Sequence, residues 1–193
     1  AVDDKTPNAY EEAWDIIDTD GTNTSGSPTV INGSGGGNSM FIYSSPSVGG
    51  ASLTVAYRQH VNVSSESMMD FAVAVSPEAV DGLTLGAAMS NNTIGTNIDS
   101  DESTMYATYA TGGFTFGIQS SDLDHTTANS DQESIAYGIT YAVNDDLSVG
   151  YSYHELDFES ASLSDQESTG ISASYTMGGM TLAGASNEVE NMN

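Results

Sequence analysis

The sequence predicts an all-β protein: an antiparallel up-and-down transmembrane β-barrel, of which about ten strands are present. Three observations carry that reading. Apolar and polar residues alternate in block after block, tight-turn sequences recur at a nearly constant interval, and the connections are short at one end and mostly long and acidic at the other.

The alternation is clearest from Ser134 onward. One parity reads Ile135, Tyr137, Ile139, Tyr141 and Val143, and the other Ser134, Ala136, Gly138, Thr140 and Ala142. Successive Cβ atoms of a strand point to opposite sides of a sheet, so this pattern gives one apolar and one polar face. Asn144-Asp145-Asp146 then leads into Leu147, Val149, Tyr151 and Tyr153 against Ser148, Gly150, Ser152 and His154, which completes a hairpin. Further turn sequences are Val48-Gly49-Gly50, Val80-Asp81-Gly82, Gly112-Gly113 and Gly178-Gly179. They recur at roughly 32 residues, one hairpin plus one return connection.

On this spacing the strands are expected at about 38–46, 51–63, 67–77, 83–92, 103–111, 114–124, 133–143, 147–158, 167–177 and 180–190. Most have the length of a tilted strand crossing a bilayer. The long acidic loops are expected from Asn91 to Glu102, Asp122 to Gln132 and Glu159 to Gln166; the connection around Ser64–Glu66 is short although it lies on the same side. Residues 1–36 form a further acidic loop with a helix-like stretch at 11–17, and residues 37–193 form the hairpin wall.

Alternation alone suits a soluble sandwich too. The barrel is favoured by aromatic residues near strand ends of the apolar parity (Tyr43, Phe114, Phe116, Tyr141, Tyr151, Tyr175), where an interfacial girdle belongs. The other parity is mostly small and uncharged, as in Ser52, Thr54, Ala56 and Ser172, Ser174, Thr176, which suits a wet lumen. Charges avoid the apolar parity in strand centres.

Composition narrows the function. Two basic residues, Lys5 and Arg58, stand against 27 acidic ones, a formal charge of -25. Such a surface repels nucleic acid and anionic headgroups. Low hydrophobicity with high charge would suggest disorder, but disorder has no period-two pattern. The absence of Cys excludes disulfides and cysteine-based zinc sites. Neither end carries a secretory leader, so the chain is read as mature or truncated.

The stretches Tyr43-Ser44-Ser45-Pro46, Gly50–Tyr57, Ala107-Thr108-Tyr109 with Gly112–Gly117, Tyr141–Tyr151 and Ala173–Thr181 resemble general-diffusion porins of Gram-negative outer membranes. The resemblance spans most of 38–190. It implies a trimeric 16-stranded barrel in outer-membrane lipid, with a long loop after the fifth strand folded into the pore. If residues 1–36 are that loop, 38–46 is the sixth strand and 180–190 the fifteenth. Five strands are then missing upstream and one downstream, as is a terminal aromatic residue. Ten strands of so wide a barrel cannot close, which predicts an open sheet with exposed edges.

No catalytic residue is expected, and the partners are lipid, small hydrophilic solutes and ions, and two further copies of the chain. The candidate constriction carries Glu11, Glu12, Asp15, Asp18 and Asp20, with Arg58 and His60 facing it from the wall. Porins usually set a cluster of basic side chains opposite the acidic loop, and here Arg58 is the single strand arginine; the charge balance favours cations. Asp18, Asp20 and Asn23 have the spacing of a calcium loop without its terminal acid, a weak calcium site; no other cofactor is implied. His125 and His154 are read as solvated, and Met68, Met69, Met177 and Met180 as lipid- or subunit-facing. No Gly-x-Ser-x-Gly elbow supports a hydrolase. The alternative is a secreted or surface-displayed acidic β-rich adhesin that binds calcium.

Overall fold

A computed structural model of the chain describes residues 5–9, 40–58, 67–95 and 98–191. Ten strands follow one another: β1 (Met40–Ser44), β2 (Ala51–Arg58), β3 (Ser67–Val75), β4 (Leu83–Gly95), β5 (Ile98–Thr111), β6 (Phe114–His125), β7 (Gln132–Ala142), β8 (Leu147–Phe158), β9 (Gln166–Met177) and β10 (Met180–Glu190). Each pairs antiparallel with the next, in one sheet of order β1 through β10. Among the described residues the meander does not close, and β1 and β10 each have one edge without a strand partner.

The turns explain why the hairpins are tight. Gly112 and Gly113 have φ of 56° and 83°, and Gly178 and Gly179 have 56° and 84°. Two consecutive left-handed residues make the turn whose twist matches the flanking strands, and glycine adopts them without steric cost. At the turn after β7, Asn144 Oδ1 accepts from the amides of Asp146 and Leu147, both at 2.9 Å. That side chain mimics a backbone turn.

Burial is inverted relative to a water-soluble protein. Phe114, Phe116, Ile118, Tyr137, Tyr151, Ile171 and Leu182 are exposed, whereas Asp70, Ser90, Thr104, Gln119, Ser121, Ser134, Ser152 and Ser168 on the opposite parity are buried. The buried apolar residues among those described are Ala56, Met68, Ala88, Ala136 and Leu156, all on the polar parity. Among the described residues no second sheet covers the apolar face. Rows run straight across it: Phe116–Ile139–Tyr151–Ile171 is one, in register across four strands. Rings stack along the rows, with centroids 4.3 Å apart for Phe114–Tyr141 and 4.7 Å for Tyr137–Tyr153.

Three sequence expectations need correction. Asn91 to Glu102 is mostly a continuation of the β4–β5 hairpin, paired from Asn91↔Asp101 to Gly95↔Ile98 with a register shift between Thr93 and Gly95. Both faces there are polar, so no alternation marks the strand. Met68 is buried on the polar face, because its neighbour Met69 points out and adjacent strand residues cannot share a face. His154 is 1% exposed rather than solvated. Residues 59–63 of the second expected strand and residue 60 among the site candidates lie outside the described residues.

Candidate functional site

The polar face is the surface to examine, since the buried polar side chains of the described strands stand on it. On β3 and β4, Ser90 Oγ donates to Asp70 Oδ1 at 2.6 Å, and Asp70 is 2% exposed. On β4 and β5, Asn92 Nδ2 donates to Glu102 Oε1 at 3.5 Å. The hydroxyls of Thr104 and Ser121 are hydrogen-bonded at 2.7 Å across β5–β6. These side chains stand on one face because they occupy one parity of adjacent strands in fixed register. Nearer the short turns, the Tyr106 ring lies over Gly86 of β4, and Tyr106 and Ala72 each pack against Ala88.

A short segment of the chain crosses this face. The Lys5 amide donates to Gln119 Oε1 of β6 at 2.8 Å, and the Ala9 amide donates to Ser172 Oγ of β9 at 3.1 Å. Between those ends the segment rests on Gly117, Gly138 and Gly150. Thr6, in the middle, is buried.

The wall charges are sparse. Arg58 ends β2 on the polar parity and is half-buried. Asp70 and Glu102 are the buried carboxylates of the polar face among the described residues. Sequence reasoning passed over both, although parity with Ala72 and Thr104 would have placed them there. Glu11, Glu12, Asp15, Asp18, Asp20, Asn23 and His60 lie outside the described residues, so the proposed constriction and the calcium loop are not positioned. Among the described residues no group of three or more His, Asp or Glu is arranged to hold a metal.

At the long-loop end the other face changes character. Beyond the apolar rows, Asp122, Glu133 and Asp157 form one register row across β6–β8, and Glu155 faces Glu167 across β8–β9. Tyr153 marks the boundary, donating its hydroxyl to Glu155 Oε2 at 3.0 Å. The carboxyls of Asp122 and Asp157, two steps past that boundary, are held above the ordinary Asp range. Partial burial is the largest cause for each; Asp124, Glu133 and Asp131 add to it at Asp122, and Asp165, Glu155 and Glu133 at Asp157.

A sheet with a lipid-compatible face, a hydroxyl-rich face and carboxylates above the apolar band has the wall of a transmembrane β-barrel as its class. A family model described as Gram-negative porin matches residues 1–192. The chain belongs to that family, whose place is the outer membrane, and the secreted-adhesin alternative finds no support. Among solved structures it is similar to an anion-selective porin from Comamonas acidovorans (17% identity, TM-score 0.65), covering 80% of this chain and 49% of that one. A porin refined at 1.8 Å resolution gives 14% identity and a TM-score of 0.64, covering 78% and 55%. The trimer form of OmpT, an outer membrane protein of Vibrio cholerae, gives 14% and 0.57, covering 78% and 53%. The chain thus spans about half the length of these proteins. No curated protein matches it.

Proposed function

We propose that this chain supplies part of the wall of a water-filled channel for passive diffusion of small hydrophilic solutes and ions, and that the complete protein works as a homotrimer preferring cations. The carrying observation is the inverted burial: tyrosines, valines and isoleucines outside, hydroxyls and amides inside. Such a wall holds a hydrated hole open and needs no catalytic group. Residues 1–36 serve as the acidic loop that narrows the pore, with Glu11, Glu12, Asp15, Asp18 and Asp20 as its charges and Arg58 with His60 facing them. Residues 37–193 are the wall. Support for cation preference comes from the charge of -25 and from Asp70 and Glu102 on the polar face. Trimerisation is supported by the family and by the trimer form among the similar structures. Calcium at Asp18, Asp20 and Asn23 is kept as the weaker part of the proposal, read from spacing alone.

Planar-bilayer recording of the full-length protein tests this. Discrete conductance steps and a reversal potential of cation-selective sign in a KCl gradient are expected. Absence of steps rejects the channel, and a reversal potential of the opposite sign rejects the selectivity.

A further inference from the structure

We infer that Gly117, Gly138 and Gly150, with Gln119 and Ser172, form a built seat for residues 5–9, and that this seat sets where the acidic stretch enters the lumen. The inference rests on the channel reading above and names the positioning residues of that same pore.

The glycines are there for space and not for backbone freedom. None of the three has a left-handed φ, unlike the turn glycines. In a strand interior glycine packs poorly and is disfavoured, so its presence marks a bend or a close approach of another group. Here the approaching group is visible. A Cβ on Gly117 would collide with Pro7 Cδ and lie 3.2 Å from the Lys5 carbonyl oxygen. A Cβ on Gly138 would lie 2.6 Å from the Pro7 carbonyl oxygen, and one on Gly150 would lie 2.9 Å from Ser172 Oγ and 3.1 Å from the Ala9 amide nitrogen that this hydroxyl accepts from. By contrast, nothing lies within 4 Å of the corresponding point at Gly184 in β10.

Register makes the three positions a track. Gly117 and Gly138 are directly opposite across β6–β7, and Gly150 is directly opposite Ser172 across β8–β9. The segment crosses from the first pair to the second and is pinned at both ends, by Gln119 on β6 and Ser172 on β9. Ala9 is therefore tied to the wall at β8–β9. Glu11 and Glu12 follow it by two and three residues, and chain length confines their Cα atoms to within roughly 7 and 11 Å of Ala9. The seat thus fixes the point on the wall from which the acidic stretch continues.

The test uses full-length protein. Gly138→Val and Gly150→Val should assemble as heat-modifiable oligomers, yet lower the cation-over-anion permeability ratio about twofold and alter the conductance. Ala74→Val, on the same face in β3 away from the segment, should leave both unchanged. The chain has no cysteine, so the pair Ala9→Cys with Ser172→Cys should cross-link under mild oxidation, and Ala9→Cys with Ala74→Cys should not. Valine variants that conduct and select like the wild type, or an Ala9–Ser172 pair that stays reduced, overturn the seat. If the wild type conducts no ions while the cysteine pair bridges, the seat stands and the channel reading falls.

Discussion

At the scale of single residues, the decisive property is which way each side chain points. Val73 and Ala74 are neighbours in the chain and stand on opposite faces of β3, Val73 exposed beside Leu53 and Ala87, and Ala74 beside Ser52 and Gly86. A lysine on the lipid face must bring its charge into hydrocarbon or bend to reach the headgroups, at about 2–4 kcal/mol near the midplane. A lysine on the lumen face stays in water. Val73→Lys is therefore expected to lower the urea midpoint of the full-length protein in lipid vesicles, whereas Ala74→Lys should leave it nearly unchanged and shift the reversal potential toward anions. Equal destabilisation by the two would mean that the faces are assigned wrongly. This orientation was legible in the sequence, because period-two alternation maps directly onto the two faces. Met68 was obscured because it breaks the composition of its parity, and register with Asn92 on β4 fixes its side; Asp70 was legible from its parity with Ala72 and was passed over.

At the scale of elements, the hairpins divide into an apolar lower part and an acidic upper part, and the two parts are held by different forces. The lower rows gain from lipid contact and ring stacking. The upper rows set like charges opposite one another, which disfavours pairing. Because Asp122 and Asp157 titrate above the ordinary value of 3.8, the folded state binds protons there that the unfolded chain releases. The resulting stability is fully present below pH 3.8 and is lost as pH rises through the elevated folded values. Amide exchange in the upper halves of β6–β8 should therefore quicken as pH is raised from about 4 to neutral, after correction for intrinsic exchange. Asp122→Asn with Asp157→Asn should flatten that dependence, and high salt should weaken only the smaller part that comes from the neighbouring carboxylates. A protection profile that is independent of pH, or that strengthens toward neutrality, would refute the repulsion. The same division explains what the sequence concealed. Where both faces meet water the alternation disappears, so the β4–β5 extension read as a loop, and the strand ends were the least legible part of the fold. The glycine seat was hidden as well: a strand glycine signals a close approach but does not say by what, and Lys5–Ala9 carries no pattern of its own.

At the scale of the molecule, the open meander defines what the protein needs in order to work. In hydrocarbon an unpaired backbone amide or carbonyl costs several kcal/mol, and only closure removes the edge of a sheet. Among the described residues the outer sides of β1 and β10 have no strand partner, and neither strand carries a proline that would blunt pairing. In the wall proposed above, those edges are satisfied by pairing with additional strands. The similar structures are about twice as long as this chain. Residues 1–193 refolded alone in detergent are accordingly expected to associate through β1 and β10 into a mixture of sizes and to give no uniform conductance step. Joined to further strands, the same residues should form a single heat-modifiable species. A monodisperse monomer of residues 1–193 with a reproducible conductance would show that the edges are satisfied within these ten strands, and would require a smaller, closed barrel in place of the open wall. Until those edges are paired, the hydroxyl-rich face borders no enclosed lumen, and selectivity is a property that only the closed assembly possesses.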